Sequence, residues 1–248
     1  MQPTPKITIV TVCYNAAAVI EETILSVINQ TYSNIEYIII DGASTDNTME
    51  VVNKYRNRIS VVVSEPDKGI FDAMNKGIKL AMGEWINFMN AGDKFAANNV
   101  VEKVFEESKK DFDVLYGDYA TKYNNKIRFR DAYAFFKKKT KFKEMGFSHQ
   151  SVFVRTYLAK ENTFDTHFKL CADYNMIWNF YYKLNASFAH VNVLVAVMDV
   201  VGGATIKYYK RHIQEVALIC GYPISLLELN IRVTIHRCEC LVKKLIWD

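Results

Sequence analysis

The stretch IEYIIIDGASTD, residues 35–46, decides the fold. Its first six residues form a short run rich in β-branched side chains, bounded by Asn34 and Gly42, and read as a buried strand. The run ends in Asp41, and a carboxylate at the carboxyl end of a parallel strand stands where open α/β sheets bind ligands. Gly42 permits a sharp turn, and Asp46 reads as the cap of a helix that starts near Thr48. A strand, an acidic loop and a helix in that order point to a nucleotide site; the plainer reading makes Asp41 a turn former.

Working outward, residues 7–13 are a strand of apolar residues and threonines that ends in Tyr14 and Asn15. Residues 19–30 follow as an amphipathic helix with Ile20, Ile24, Val27 and Ile28 on one face. After the helix at 48–55 comes a strand at 59–63, which leads into the loop 64–69. A helix at 70–81 and a strand at 84–89 end in Asn90, Ala91, Gly92 and Asp93. Strands and helices alternate to about residue 110, which predicts a mostly parallel sheet with right-handed crossovers. In such a sheet the polar clusters after all four strands lie along one edge. The rhythm then changes. A short strand at 114–116 precedes a hairpin of 119–123 and 126–129 about Asn124-Asn125, then a basic run of lysines at 137–143. Strands at 149–154, 187–191 and 195–200 and an aromatic helix at 173–184 complete this half, and the pattern from Ile206 onward is helical.

At 248 residues the chain suits one large domain, or one domain with a helical tail. Half the residues are apolar, enough for a sizeable core, and the net charge of +4 does not demand nucleic acid. The cysteines, Cys13, Cys171, Cys220, Cys238 and Cys240, are odd in number and show no metal-type pair of pairs, which fits a reducing cytoplasm. The first residues lack a basic segment followed by an apolar core and a cleavage site. No apolar run reaches the roughly 18 residues that a membrane span needs, so the expectation is a soluble or peripheral protein.

There is no G-x-G-x-x-G after the first strand and no G-x-x-x-x-G-K-[ST]. Phosphates must then be neutralised another way, for which a carboxylate-held divalent cation is the usual device. The set ITIVTVCYN, YIIIDGASTDNT, EPDKGIFDAMNKGI and GEWINFMNAGD resembles glycosyltransferase family 2, of the GT-A fold, in its polysaccharide-assembly branch. The resemblance is strong over residues 6–120 and weaker to about 200. It implies an α/β, GT-A-type (Rossmann-like) domain over residues 1–205, its donor half at about 1–120 and its acceptor half at about 121–205, with a C-terminal helical extension over 206–248. It also implies a metal-dependent inverting transferase that moves a sugar from a UDP or GDP donor to a glycan or lipid-linked acceptor in cell-surface polysaccharide biosynthesis.

By the same resemblance Thr11, Tyr14 and Asn15 line the nucleobase site, Asp41 with Ser44 reads the base or ribose, and Asp67, Lys68 and Gly69 lie against the nucleotide. Asp72 and Asn75, three apart on a helix, line the donor pocket or else a solvated face. Asn90, Ala91 and Gly92 line the nucleotide-sugar site; Asn90 and Gly92 stand where the family's metal motif often has extra carboxylates, leaving Asp93 to hold Mn²⁺ or Mg²⁺ with the donor diphosphate. Asp173, in KLCADYNMIW, matches the general base, although it also suits an N-cap. His149, in the HQ pair, is either a diphosphate contact or a structural histidine. Asp118, in the segment Tyr116-Gly117-Asp118, also matches the branch without a defined role. The apolar and basic residues of 224–247 suit a helix on a membrane surface, on a second copy, or on its own domain. A sugar-nucleotide nucleotidyltransferase would need a Gly-rich basic loop where Tyr14-Asn15-Ala16-Ala17 stands. A non-catalytic glycan-binding or assembly subunit remains the alternative, because the motif at 90–93 is sparse.

Overall fold

The computed structural model describes residues 4–108, 111–123, 126–132, 146–199 and 208–247, with side-chain environments through residue 236. The lysine run at 137–143, the Asn124-Asn125 turn and the 205/206 boundary lie outside the described residues.

The first half follows the alternation. Strand β1 (Ile7–Cys13) leads to helix α1 (Ile20–Ile28), then β2 (Ile35–Asp41), α2 (Thr48–Lys54), β3 (Val61–Ser64), α3 (Ile70–Leu80) and β4 (Trp85–Phe88). These four strands are mutually parallel, with Cys13 level with Asp41 and Asp41 level with Ser64. Every residue of β1 is buried, as expected of a parallel strand covered on both faces. The two-residue period then sorts the strands into two cores. Val10, Val12, Ile38 and Ile40 face one side with Phe71, Met74 and Ile78 of α3. Ile7, Ile9, Tyr37 and Ile39 face the other with Ile20, Ile24 and Val27 of α1 and Val51 and Val52 of α2.

The second half departs from the expectation of a mostly parallel sheet. After β5 (Lys94–Phe95) and α4 (Val100–Glu107) come β6 (Val114–Tyr123), β7 (Lys126–Arg130), β8 (Val152–Arg155), α5 (Thr156–Glu161), α6 (Ala172–Tyr182) and β9 (Phe188–Asp199). The sheet order is β3-β2-β1-β4-β8-β6-β9-β5, with β7 on β6. Strand β8 is antiparallel to both β4 and β6, so the sheet is mixed. Two expected breaks are absent. Gly117-Asp118 continues β6, and β9 runs through Asn192 because the register shifts between Tyr116 and Asp118 absorb extra residues as a bulge. The expected strand at 149–154 begins instead as one 3-10 turn, His149–Ser151.

Helices α7 (Tyr209–Ile219) and α8 (Leu226–Trp247) follow. Ile213, Val216 and Ala217 of α7 and Leu229 of α8 join the same core as β1 and α3. The first part of the expected tail therefore packs on its own domain.

Helix α3 lies close on β1 because Gly77 has no side chain. A Cβ there would sit 2.5 Å from Cγ1 of Val10. Gly77→Ala is expected to cost about 1–3 kcal/mol through overpacking. A thermal midpoint equal to wild type would show that α3 shifts without strain.

Candidate functional site

The carboxyl ends of β1 to β4 meet at one edge, and their loops are laced together. Asn15 (φ 48) and Ala43 (φ 60) both take left-handed backbone, a strained conformation for residues with a Cβ. Hydrogen bonds across the loops hold them there. Asn15 N donates to Ser44 Oγ at 2.8 Å, and Thr45 N donates to Asn15 Oδ1 at 2.9 Å. Ala17 N donates to Asp46 Oδ2 at 3.1 Å, and Thr48 N to Asp46 Oδ1 at 3.0 Å. Asp46 therefore caps α2, as its position suggests, and also ties the two loops. The hydroxyl and amide bonds hold its carboxyl below the ordinary carboxylate range.

Asp41 is fully buried. Its Oδ2 accepts from Ser44 N at 3.0 Å and Ser64 Oγ at 2.6 Å, and its Oδ1 accepts from Ser44 Oγ. Thr11 is also buried, with its hydroxyl bonded to the Met89 carbonyl at 2.8 Å, so it braces the strands rather than facing solvent. Tyr14 is exposed. The Asp67 carboxylate lies over Gly42, leaving no room for a Cβ, and accepts from Gly69 N at 2.7 Å. Lys68 N donates to Asp72 at 3.0 Å. Asn75 makes a two-way bond with the backbone of Phe164, at 2.9 and 2.8 Å, which uses its amide to join the two halves of the domain.

At the end of β4 the chain turns tightly. Asp93 N donates to the Asn90 carbonyl at 2.9 Å, and Gly92 takes φ +98, a conformation that favours glycine. Thr23 of α1 anchors this turn, accepting from Gly92 N at 3.0 Å and donating to the Asp93 carbonyl at 2.7 Å. Ala91 N donates to the Val12 carbonyl at 3.1 Å.

The 3-10 turn His149–Ser151 reaches across to this loop and to α6. Gln150 Nε2 donates to Asp93 Oδ2 at 2.7 Å, and Ser148 Oγ donates to the other end of the same amide. His149 Nε2 lies 3.1 Å from Asn90 Nδ2, and its Nδ1 lies 2.9 Å from Asp173 Oδ2. Asp173 is the second residue of α6, and its Oδ1 accepts from Tyr174 N at 2.8 Å. Adjacent residues of one short turn thus hold Asp93 with one side chain and Asp173 with the next.

The electrostatics differ between the two carboxylates. Burial pushes Asp93 up to about 6, against the pull of the Gln150 bond and the charge of His149. Burial also opposes the charge on Asp173, yet the bond and charge of His149 outweigh it and hold the carboxyl below its ordinary range. The same pairing raises His149 above its ordinary 6.5, despite its burial. Among the described residues Asn90 Oδ1 is buried without a hydrogen-bond partner.

Among the described residues no three His, Cys, Asp or Glu side chains gather to hold a metal. What the loop offers is one hard, partly buried carboxylate that makes no ion pair of its own among the described residues, His149 being paired with Asp173. That fits Mg²⁺ or Mn²⁺, which accept sparse protein ligation when water and substrate phosphates complete the shell.

Strand order in the sequence placed Tyr14, Asn15, Asp41, Asp67, Asn90 and Asp93 at this edge, and the structure brings His149 and Asp173 against it. Reading the sequence did not foresee Thr23, Ser64 or the grip of Gln150 on Asp93. Asp118 accepts from Ala132 N at 2.7 Å and pairs with His190 at 3.0 Å, which ties β6 to its neighbours.

The family model described as Glycosyl transferase family 2 matches residues 8–168. A PGL/p-HBAD biosynthesis glycosyltransferase of Mycobacterium bovis is 28% identical over 209 residues, covering 80% of this chain and 78% of the relative. The UDP-Glc:alpha-D-GlcNAc-diphosphoundecaprenol beta-1,3-glucosyltransferase WfgD of Escherichia coli is 34% identical over 122 residues, covering 49% of this chain and 48% of the relative. Among solved structures, S. aureus TarS 1-349 in complex with UDP superposes with TM-score 0.63 at 20% identity, over 90% of this chain and 68% of that one. The mannosyltransferase PcManGT from Pyrobaculum calidifontis, in complex with GDP-Man and Mn2+, gives TM-score 0.66 at 16% identity, over 88% of this chain and 64% of that one. Both likenesses establish the fold.

Proposed function

Because the chain belongs to glycosyl transferase family 2 and is a nucleotide-sugar-dependent glycosyltransferase, we propose that it is a metal-dependent, inverting member of it. The donor is a UDP- or GDP-linked sugar. The acceptor is a glycan or a lipid-linked sugar in cell-surface polysaccharide assembly; the Escherichia coli relative is named for a lipid-linked acceptor, alpha-D-GlcNAc-diphosphoundecaprenol. The observation that carries this reading is the single turn at His149–Ser151 that grips both Asp93 and Asp173.

Asp93 would hold Mn²⁺ or Mg²⁺. The cation, when bound, supplies charge neutralisation for the departing diphosphate. Asp67, backed by the Gly69 amide, lies beside exposed Tyr14 and presents the free carboxylate to the nucleoside, while Asp41 and its serines keep that loop in shape. Asn90 Oδ1 offers an unused acceptor to a donor hydroxyl. Asp173 takes the proton from the acceptor hydroxyl as that oxygen attacks the anomeric carbon from the face opposite the diphosphate. His149 orients Asp173 and shares its charge.

No helix among the described residues is long and apolar enough to cross a membrane. Leu227, Ile231 and Ile235, at helical spacing on α8, are exposed. That row supports peripheral attachment on the cytoplasmic face of the membrane, or to a second copy, by the 206–248 segment.

Calorimetric titration of UDP, GDP and CMP, with and without Mn²⁺, tests the donor site. One nucleoside diphosphate is expected to bind, and to do so at least tenfold more tightly with the metal. Equally tight binding with and without Mn²⁺ would remove Asp93 from the role of ligand.

A further inference from the structure

The helix that carries Asp173 does not begin on its own. Cys171 precedes it with no side-chain cap, and the loop before it is held by α7 instead. Glu215 of α7 is buried, and its carboxylate accepts from three successive backbone amides: Lys169 N at 3.0 Å, Leu170 N at 2.9 Å and Cys171 N at 3.0 Å. Arg211, one turn earlier, donates to the same carboxylate at 3.0 Å. Two further ties run beside it. Cys171 Sγ lies 3.2 Å from His212 Nδ1, and Tyr174 OH lies 3.2 Å from Cys220 Sγ. Side chains of 212–220 therefore grip residues 169, 170, 171 and 174, on both sides of Asp173.

A buried carboxylate that accepts several amide hydrogens is a strong and directional anchor. It also stands at a helix N-terminus, where a negative charge is favoured. Asp173 needs such an anchor, because proton transfer tolerates little displacement of the base. The family match ends at residue 168, one residue short of these ties. We infer that α7 is a positioning clamp for the base: Glu215 fixes the first turn of α6 and thereby sets Asp173 against His149 and the acceptor, which makes the C-terminal helices part of the catalytic apparatus. This rests on the reading of Asp173 as the base.

The test is turnover of the full chain, followed as release of the nucleoside diphosphate that binds in the calorimetric experiment, for Glu215→Ala, Glu215→Gln and Asp173→Asn. Glu215→Ala is expected to lower kcat 10- to 100-fold while donor KM and nucleotide Kd stay within twofold, since the donor loops lie at the ends of β1 to β4. Glu215→Gln keeps one acceptor oxygen and is expected to recover part of the loss. If the alanine variant does not fold, the glutamine variant carries the same split between kcat and KM. A kcat within twofold of wild type overturns the clamp. So does a parallel decline of kcat, nucleotide affinity and thermal midpoint, which would make Glu215 a general structural staple. Wild-type turnover in Asp173→Asn would instead overturn the base assignment, and the clamp with it.

Discussion

Asp173→Asn is expected to lower kcat by about a thousandfold, the middle of the range for general-base catalysis, with nucleotide Kd unchanged. The substitution preserves shape and leaves one oxygen, which still accepts from Tyr174 N, so α6 should hold its first turn, while an amide nitrogen replaces the oxygen that faced His149. What disappears is a carboxylate whose charge the fold maintains against burial. The pH profile gives a second reading of the same pair. His149 titrates above its ordinary 6.5 because Asp173 and Asp93 favour its charged form. While His149 is protonated, Asp173 is locked in an ion pair and is a weaker base. The acidic limb of kcat should therefore rise through a midpoint above 6.5 and move to lower pH in His149→Gln. The pair also stabilises the fold over a defined window. The Asp173 part is present above about pH 4 and is lost as pH falls through its lowered pKa. The His149 part is present below about 6.5 and is lost as pH rises through its raised pKa. A kcat in Asp173→Asn within tenfold of wild type would sink the base assignment.

The donor half was legible because its signals are local. A β-branched run, a Gly turn and an apolar helical face each occur within a dozen residues, and the parallel rule then lines up every strand end. Residues at those ends, such as Tyr14, Asp67 and Asp93, could be named before any coordinates. The acceptor half was less legible because its partners are distant. Gly117-Asp118 and Asn192 look like breaks in isolation, yet a bulge between β6 and β9 carries both through the sheet. Gln150 grips Asp93 across 57 positions and Glu215 grips the α6 entry across 44 to 46, and no periodicity encodes such pairs. Burial was the other blind spot. Thr11 and Asp41 carry polar groups at the right strand ends, but both face inward and bond to the protein. An alternation of apolar and polar letters cannot separate a hydroxyl that lines a pocket from one that braces a neighbouring strand.

Asp93→Asn should abolish metal-dependent nucleotide binding and lower turnover by at least about a thousandfold, since a metal contributes several kcal/mol to charge stabilisation in such a transfer. The same change should make the metal-free protein more stable. Asp93 is partly buried, and the Gln150 bond with the His149 charge only partly offsets the loss of water, so its pKa is raised to about 6. A raised carboxyl pKa means that the folded state resists ionisation more than the unfolded chain does. The destabilisation begins near pH 4, grows with pH, and levels off above about 6, at a magnitude of about 3 kcal/mol. Asparagine can still accept from Gln150 and carries no charge. Scanned with a chelator at pH 8, Asp93→Asn should melt several degrees above wild type for a chain of this size. At pH 4 the two should coincide. A variant that melts below wild type at pH 8 would mean the carboxylate is already balanced by the protein, leaving nothing for a cation to relieve. The expected pattern, a gain in stability with a loss of function at one atom group, is what a ligand site produces when the fold holds a charge ready for a partner that arrives with the substrate.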